Sequence, residues 1–497
     1  TDGGAFNIEN GGLVTNSSGI IDGIATVSGG DGSGNASTWI NNSYFVVGEG
    51  ATGALNILSG GRVLVNTDAS LGQLFHGDAL VSGNGSSWEN TGRLTIDNGS
   101  LRIEDGGRVS NTLAIIGDLS AADVVVTGGT STWVNSGQLT VGSYGTGIMR
   151  VEDGATVTSS QGYVGAGAGS VGTVTVTGSN SNWEVTDFNL VLGNFGVGSV
   201  TIEDGARVFA KRGVHLGISA TDASGTLSVN GTPGGRGILE TSGFRGGMGT
   251  ADLTIDGGIV RAIDDNASFF SNYGSQQVNL GAGGGIIDTN GHDIGIAPVI
   301  AGVGSLTKDG LGTLSLTGEN TYGGGTTIFE GTLQLGDGGT TGSILGDVTN
   351  NGILAFNRAD LVTFDGVISG SGAVEKAGSG TAILTTDNSY TGGTTITAGT
   401  LQLGDGDTTG GILGDVANDG VLAFNRSDDV IFSGLISGNG GIEQAGTGKT
   451  TLTADNTFAG NTTIADGTLQ LGNGGTTGSV AGNVTNDGTL VFDRSNT

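Results

Sequence analysis

The sequence predicts an all-β chain wound as a right-handed parallel β-helix, with three short strands per rung. Three observations carry that expectation. The run Gly-Thr-Leu-Gln-Leu-Gly at 331–336 returns at 399–404 and 467–472, a fixed interval of 68 residues. A small polar run ending in tryptophan recurs at Trp39, Trp88, Trp133 and Trp183, at intervals of 49, 45 and 50. The 104 glycines accompany only two prolines, Pro233 and Pro298, and apolar residues alternate with polar ones, as in Thr173-Val174-Thr175-Val176-Thr177. A unit repeating on this scale cannot bury its apolar face alone, so copies must stack.

The elements follow in chain order. In 1–230 each tryptophan precedes a strand closed by glycine, such as Leu139-Thr140-Val141-Gly142 or Leu190-Val191-Leu192-Gly193. A second strand then ends in an acidic turn, as in Met149-Arg150-Val151-Glu152-Asp153-Gly154 and Val200-Thr201-Ile202-Glu203-Asp204-Gly205. The segment 231–287 is the least regular and is expected to be loop-bearing rungs. From 288 to 497 the 68-residue repeat takes over. Taking the tryptophan interval as two turns and 68 residues as three gives roughly 22 to 25 residues per turn in both regions, the size of a β-helix rung. The expected inward residues are Leu139, Val141, Met149, Val151, Leu190, Leu192, Val200, Ile202, Leu333, Leu335, Leu401, Leu403, Leu469 and Leu471. Corners fall to Gly, Asn and Asp, where glycine supplies positive φ and aligned Asn side chains can bond along the stack. A β-propeller is the alternative architecture, but a 68-residue repeat fits no blade.

Charge and composition exclude several function classes. A formal charge of −30 repels phosphate backbones and anionic headgroups, which argues against nucleic-acid binding and anionic-membrane binding. It also opposes side-by-side packing at low salt, so a monomer is expected. Absence of cysteine excludes disulfides and thiolate metal sites. No apolar run is long enough to span a membrane as a helix.

No catalytic, cofactor-binding or metal-ligating residue is predicted. The pairs Glu104-Asp105, Glu152-Asp153 and Glu203-Asp204 recur before glycine, whereas a catalytic pair should be singular, so they are expected to be corners. Asp264-Asp265, with Asp256, is the acidic group kept as a candidate for a polysaccharide hydrolase or lyase. The three histidines, His76, His215 and His292, are dispersed and lack a nucleophile turn. Gly29-Gly30-Asp31-Gly32-Ser33-Gly34 is not a tandem calcium motif. Arg358, Arg426 and Arg494 recur at the 68-residue period and are expected to form a ladder, paired with acids such as Asp360 and Asp428. Lys211-Arg212, beside Arg207, forms the one positive cluster.

The C-terminal units resemble the autotransporter-associated β-strand repeat, or passenger-associated transport repeat, of bacterial type V secreted proteins. The resemblance rests on Gly380-Thr381-Ala382-Ile383-Leu384-Thr385-Thr386-Asp387-Asn388-Ser389-Tyr390-Thr391-Gly392-Gly393-Thr394-Thr395-Ile396 with Gly399-Thr400-Leu401-Gln402-Leu403-Gly404, and on the copies with Asn320-Thr321-Tyr322 and Asn456-Thr457-Phe458. It implies a surface-exposed passenger exported through periplasm and outer membrane of a Gram-negative cell. The sequence stops in mid-repeat at Asn496-Thr497, so a passenger fragment is expected, its outer-membrane barrel lying outside. The expected function is an adhesin, with a host extracellular matrix protein or cell-surface receptor as partner. A stalk or secretion-assisting spacer, a self-association module and a β-helix glycan-cleaving enzyme are the alternatives.

Overall fold

The computed structural model describes residues 4–496 and contains no helix among them. Two compact units arise, Thr1–Asp264 with Phe269–Gly285, and Asp265–Ser268 with Ile286–Thr497. Each is a parallel β-solenoid, so the expected all-β fold holds and the propeller does not.

In the first unit every rung gives one strand to each of three sheets. One rung runs Thr146–Glu152, Thr156–Ser159 and Gln161–Val164; the next runs Val171–Thr177, Asn182–Val185 and Leu190–Leu192. Met149 sits on Val174, 25 residues along. On the second face tryptophan and valine alternate rung by rung: Trp39 on Val63, Val63 under Trp88, Trp88 on Val109, and onward through Trp133, Val157 and Trp183. The tryptophan interval is therefore two rungs, and a valine above and below each indole leaves room for its larger volume in a close-packed interior.

The polar run before each tryptophan also has a structural purpose. Ser37, Ser86, Ser131 and Ser181 are buried, and each Oγ accepts the backbone N–H of a glycine at the preceding rung's corner: Gly11, Gly60, Gly106 and Gly154. Those corners carry left-handed residues, including Asp105, Asp153 and Asp204 at φ of 53°, 55° and 55°. The Glu-Asp pairs are thus turn builders, and Thr127 and Thr177 donate to Asp153 and Asp204. Asn stacking occurs where expected at corners, between Asn66 and Asn42 and between Asn111 and Asn135.

Within 231–287 the rungs continue, with strands at Ile238–Thr241, Phe244–Gly246, Thr250–Asp256 and Ile259–Ala262. The strand Ser224–Thr232 overruns its corner and folds back on Gly235–Arg236 as an antiparallel hairpin. Phe244 and Phe270 stack at 4.6 Å, and Phe269 and Tyr273 pack edge-on around Phe270, all inside the core.

The second unit corrects the turn length. Leu314 pairs with Leu333 and Leu333 with Leu354, steps of 19 and 21 residues. A 68-residue repeat therefore covers three turns and one further face. Leu333 lies in the sheet with Leu314 and Leu354, Leu401 in the sheet with Ala382 and Leu422, and Leu469 in the sheet with Thr450 and Leu490. Successive copies step round the solenoid like a screw. All of the inward leucines are buried regardless, because the strand alternation is preserved on every face. Three strands do not form in every rung, and isolated bridges such as Glu319 to Ser343 and Asp387 to Gly411 close the rest.

The arginine ladder is likewise corrected. Successive arginines fall on different faces, and each ties its own copy together. Arg358 bonds Asp360 in its own rung, the Thr340 carbonyl one rung back and Glu319 a further rung back. Arg426 repeats this with Asp428, Thr408 and Asp387. Both are largely buried. Hydrogen bonds from Arg426 hold the Asp428 carboxyl below the usual carboxylate range.

A buried tyrosine contact of the first two copies is lost in the third. Tyr322 and Tyr390 share hydrogen bonds with Thr326 and Thr394 at 2.7 and 2.6 Å. Phe458 lacks the hydroxyl, and the buried Thr462 Oγ1 has no partner. Phe458→Tyr is expected to stabilise the second unit by about 1 kcal/mol, and Tyr390→Phe to destabilise it by at least as much. Urea midpoints of the two variants against the parent check this.

Candidate binding face

The third face of the first unit carries the most distinctive surface. Its outward-pointing row runs Val46, Ser70, Thr95, Ile115, Thr140 and Tyr163, one residue per rung in unbroken register, with Val46 and Thr140 themselves buried. His215 and Arg245 extend the row farther along. The face is flanked by corners that display large apolar side chains. Leu74, Leu119, Tyr144, Phe195 and Met248 occupy the corner after the strand, and Leu119 and Tyr144 are 75% and 66% exposed. Tyr44 and Phe188 are exposed at the corner before it, and Leu113 at the first position of its strand.

The backbone fixes these side chains outward. Most third-face strands close on a glycine with positive φ, as at Gly142 (φ 73°), while those ending at Ile21 and Ile96 close on Asp22 and Asp97. A methyl group there would sit 2.4 Å from the Val171 carbonyl oxygen, so the chain passes tightly over the next rung. The corner residues then bond from one rung to the next, Tyr144 N–H to Asp118 O at 2.9 Å and Phe195 N–H to Ala166 O at 3.2 Å. A regular backbone stack leaves the side chain no inward route.

Between the two corners lies a groove of about 470 Å³, lined by Tyr44, Val46, Glu49, Asp68, Arg93, Thr95, Asp97, Asp118 and Leu119 among others. Arg93 also lines an adjoining groove of about 210 Å³ with Leu113, Ile115, Gln138 and Thr140. Asp97 Oδ1 accepts the N–H groups of Leu119 and Ser120, both at 2.7 Å, and Asp68 Oδ1 accepts that of Arg93 at 2.8 Å. Oε2 of Glu49 is shielded from solvent and has no hydrogen-bond partner. The groove is thus apolar at its rim and acidic at its walls.

The residues singled out from the sequence lie elsewhere or are committed. Asp256 Oδ1 accepts the Gly283 N–H at 2.6 Å. Asp265 bonds His292 Nδ1 at 3.1 Å and the Asp293 N–H at 3.1 Å, which hold its carboxyl below the usual range. His76 pairs with Asp78 at 3.0 Å. His215 is a strand residue whose pKa is lowered by burial and by Arg245. Arg207 is bound by Glu240 and Glu184 at 2.6 and 3.2 Å, which separates it from Lys211-Arg212. Burial favours a neutral Glu240, yet Arg207 and Arg261 keep its carboxyl below the usual range. Among the described residues no three His, Asp or Glu side chains gather as a metal site, and no helix is long and apolar enough to cross a membrane.

Sequence reasoning missed both the groove and the apolar corners beside this face, and only the corners left a signal. The available signal was a large apolar residue held between glycines, as in Gly142-Ser143-Tyr144-Gly145, Gly193-Asn194-Phe195-Gly196 and Gly246-Gly247-Met248-Gly249.

Comparison with known proteins adds two findings. The family model described as Passenger-associated-transport-repeat matches residues 306–335, 374–403 and 442–471, three segments in step with the 68-residue period. The chain is also 33% identical over 189 residues to "Adhesin BmaC autotransporter" of Brucella suis biovar 1 (strain 1330), covering 34% of this chain and 5% of that protein. The chain thus spans a small part of the length of this relative. Three transport repeats in register on a parallel β-solenoid, with this likeness, mark the chain as an exported, surface-exposed autotransporter passenger segment of a Gram-negative bacterium.

Proposed function

We propose that this segment is an adhesive arm that attaches the cell to host matrix or host cells, and that the third face of the first unit is where attachment occurs. The observation that carries this reading is the register of that face. Its rungs place equivalent outward residues in line, flanked by exposed Tyr44, Leu119, Tyr144 and Phe195. Exposed apolar groups in a line, rimmed by polar ones, are what a protein-binding surface needs. The second unit has the opposite arrangement, because each copy moves to the next face and its exposed Leu345 and Leu413 do not align. It serves as scaffold. The relative's name, an adhesin, agrees with this role.

The reading is of a non-catalytic protein acting as a monomer, without cofactor or nucleic-acid partner, anchored through a barrel beyond this segment. Attachment by many weak contacts gains strength from many copies on one cell. Displayed on a non-adherent bacterium, the chain is expected to raise attachment to matrix proteins or host cells at least several-fold. The triple variant Leu119→Ser, Tyr144→Ser, Phe195→Ser is expected to abolish most of the gain, since all three side chains point to solvent and leave the core intact. No gain with the parent chain would favour the spacer reading, and gain only in cell-to-cell clumping the self-association reading.

A further inference from the structure

We propose that the groove between Tyr44 and Leu119 takes an extended polypeptide segment of another protein that alternates lysine or arginine with apolar side chains. The inference rests on the adhesive reading of this face and names its partner. Charge selects the occupant first. Glu49, Asp68, Asp97 and Asp118 line the groove against Arg93 alone, and the chain carries −30 overall. A sulfated or phosphorylated polymer would be repelled, whereas a cationic one is drawn in.

The rim selects next. Tyr44 and Leu119, 45% and 75% exposed, offer apolar surface to the methylene stem of lysine or arginine and a ring face to its charge. Glu49 Oε2 supplies a third reason. A shielded carboxylate oxygen with no donor is costly to leave unpaired, and an entering ammonium or guanidinium group would satisfy it.

The backbone selects last. Strands on this face pair with a rung on either side, from Val46 through Ser70 and Thr95 to Ile115. Their N–H and C=O groups are already used, so the ligand cannot add as a further strand and must be read by side chains. Rungs spaced about 4.8 Å apart suit an extended chain, whose alternate side chains are about 6.8 Å apart, crossing three or four of them.

The test uses the whole purified chain and three fluorescent probes: a twelve-residue peptide alternating lysine and leucine, its glutamate counterpart, and heparin. Anisotropy is read at 50 and 300 mM NaCl. Asp118 makes no side-chain hydrogen bond to the fold, so Asp118→Asn with Glu49→Gln removes charge without removing volume, and an unchanged melting curve confirms folding. The basic peptide is expected to bind, at least tenfold more weakly in the double variant and at the higher salt, while the acidic peptide and heparin do not bind. Equal affinity in parent and variant, or binding of heparin, overturns the proposal. Cell attachment by the displayed chain is scored separately with the same double variant. Attachment unaffected by Asp118→Asn and Glu49→Gln sinks the basic-segment proposal and leaves adhesion standing. Peptide binding as expected, without any attachment, sinks adhesion instead.

Discussion

Trp133→Ala is expected to destabilise the first unit by about 3–5 kcal/mol, the range for deleting a buried aromatic side chain. Trp133 is fully buried between Val109 and Val157. Its Nε1 donates to Asn111 Oδ1 at 2.7 Å, and Asn111 bonds the Leu113 carbonyl and Asn135 in turn. Truncation therefore opens a cavity and orphans a buried acceptor together. Because a solenoid rung touches mainly its neighbours, the damage should stay local. Hydrogen exchange should accelerate across the rungs from Arg108 to Ser159 and remain at parent levels in the second unit. Trp88 provides the control. The position equivalent to Asn111 is there Val65, and Trp88 Nε1 has no partner. Trp88→Phe should therefore cost less than Trp133→Phe, by about the 1 kcal/mol of one buried hydrogen bond. Equal losses in the two phenylalanine variants would refute the assignment.

Much of this fold was legible because solenoid packing writes itself into spacing. The tryptophan interval gave two rungs, since on that face each buried indole alternates with a valine. The inward leucines were readable from alternation alone. The 68-residue interval was misleading for the same reason. Leu333, Leu401 and Leu469 point inward on whichever face they lie, so the pattern cannot distinguish three turns from three turns and a face. That one error also produced the expected arginine ladder. The groove was hidden because outward residues such as Ser70, Thr95 and Ile115 differ from rung to rung and carry no period. Buried charge left no mark in the pattern either. The sequence reading gave Lys308 and Lys376 no role, yet they share the inward phase of Leu306 and Val374, and Gln444 fills their slot in the third copy.

The second large effect follows from Lys308. Its Nζ is fully buried and donates to Thr289 Oγ1 and to the carbonyls of Asp309, Gly310 and Glu330, at 2.5 to 3.1 Å. Burial lowers its pKa from the ordinary 10.5 to about 8, against the upward pull of Asp309, Asp288, Glu330 and Asp293. Below pH 8 both folded and unfolded chains hold the proton, and the desolvation cost is borne in full. Between pH 8 and 10.5 the unfolded chain binds more protons than the folded one, so stability must rise with pH. A shift of this size corresponds to about 3 kcal/mol in total. Tyr322 and Tyr390 limit the window from above. Burial raises their pKa, so the unfolded chain ionises first beyond pH 10 and stability then falls. Urea unfolding of the second unit is expected to strengthen by about 2 kcal/mol from pH 7.5 to 9.5 in the parent chain. Lys308→Gln should lose most of that rise, keeping only the part due to Lys376, whose pKa burial also lowers, and should be more stable than the parent at pH 7.5, because Gln444 shows that an amide fills the slot, donating to the carbonyls of Gly446 and Gly448 at 2.8 and 3.3 Å. A Lys308→Gln variant with the parent's full pH dependence would assign the effect to another group, and Lys376, also lowered by burial, would be the next to replace.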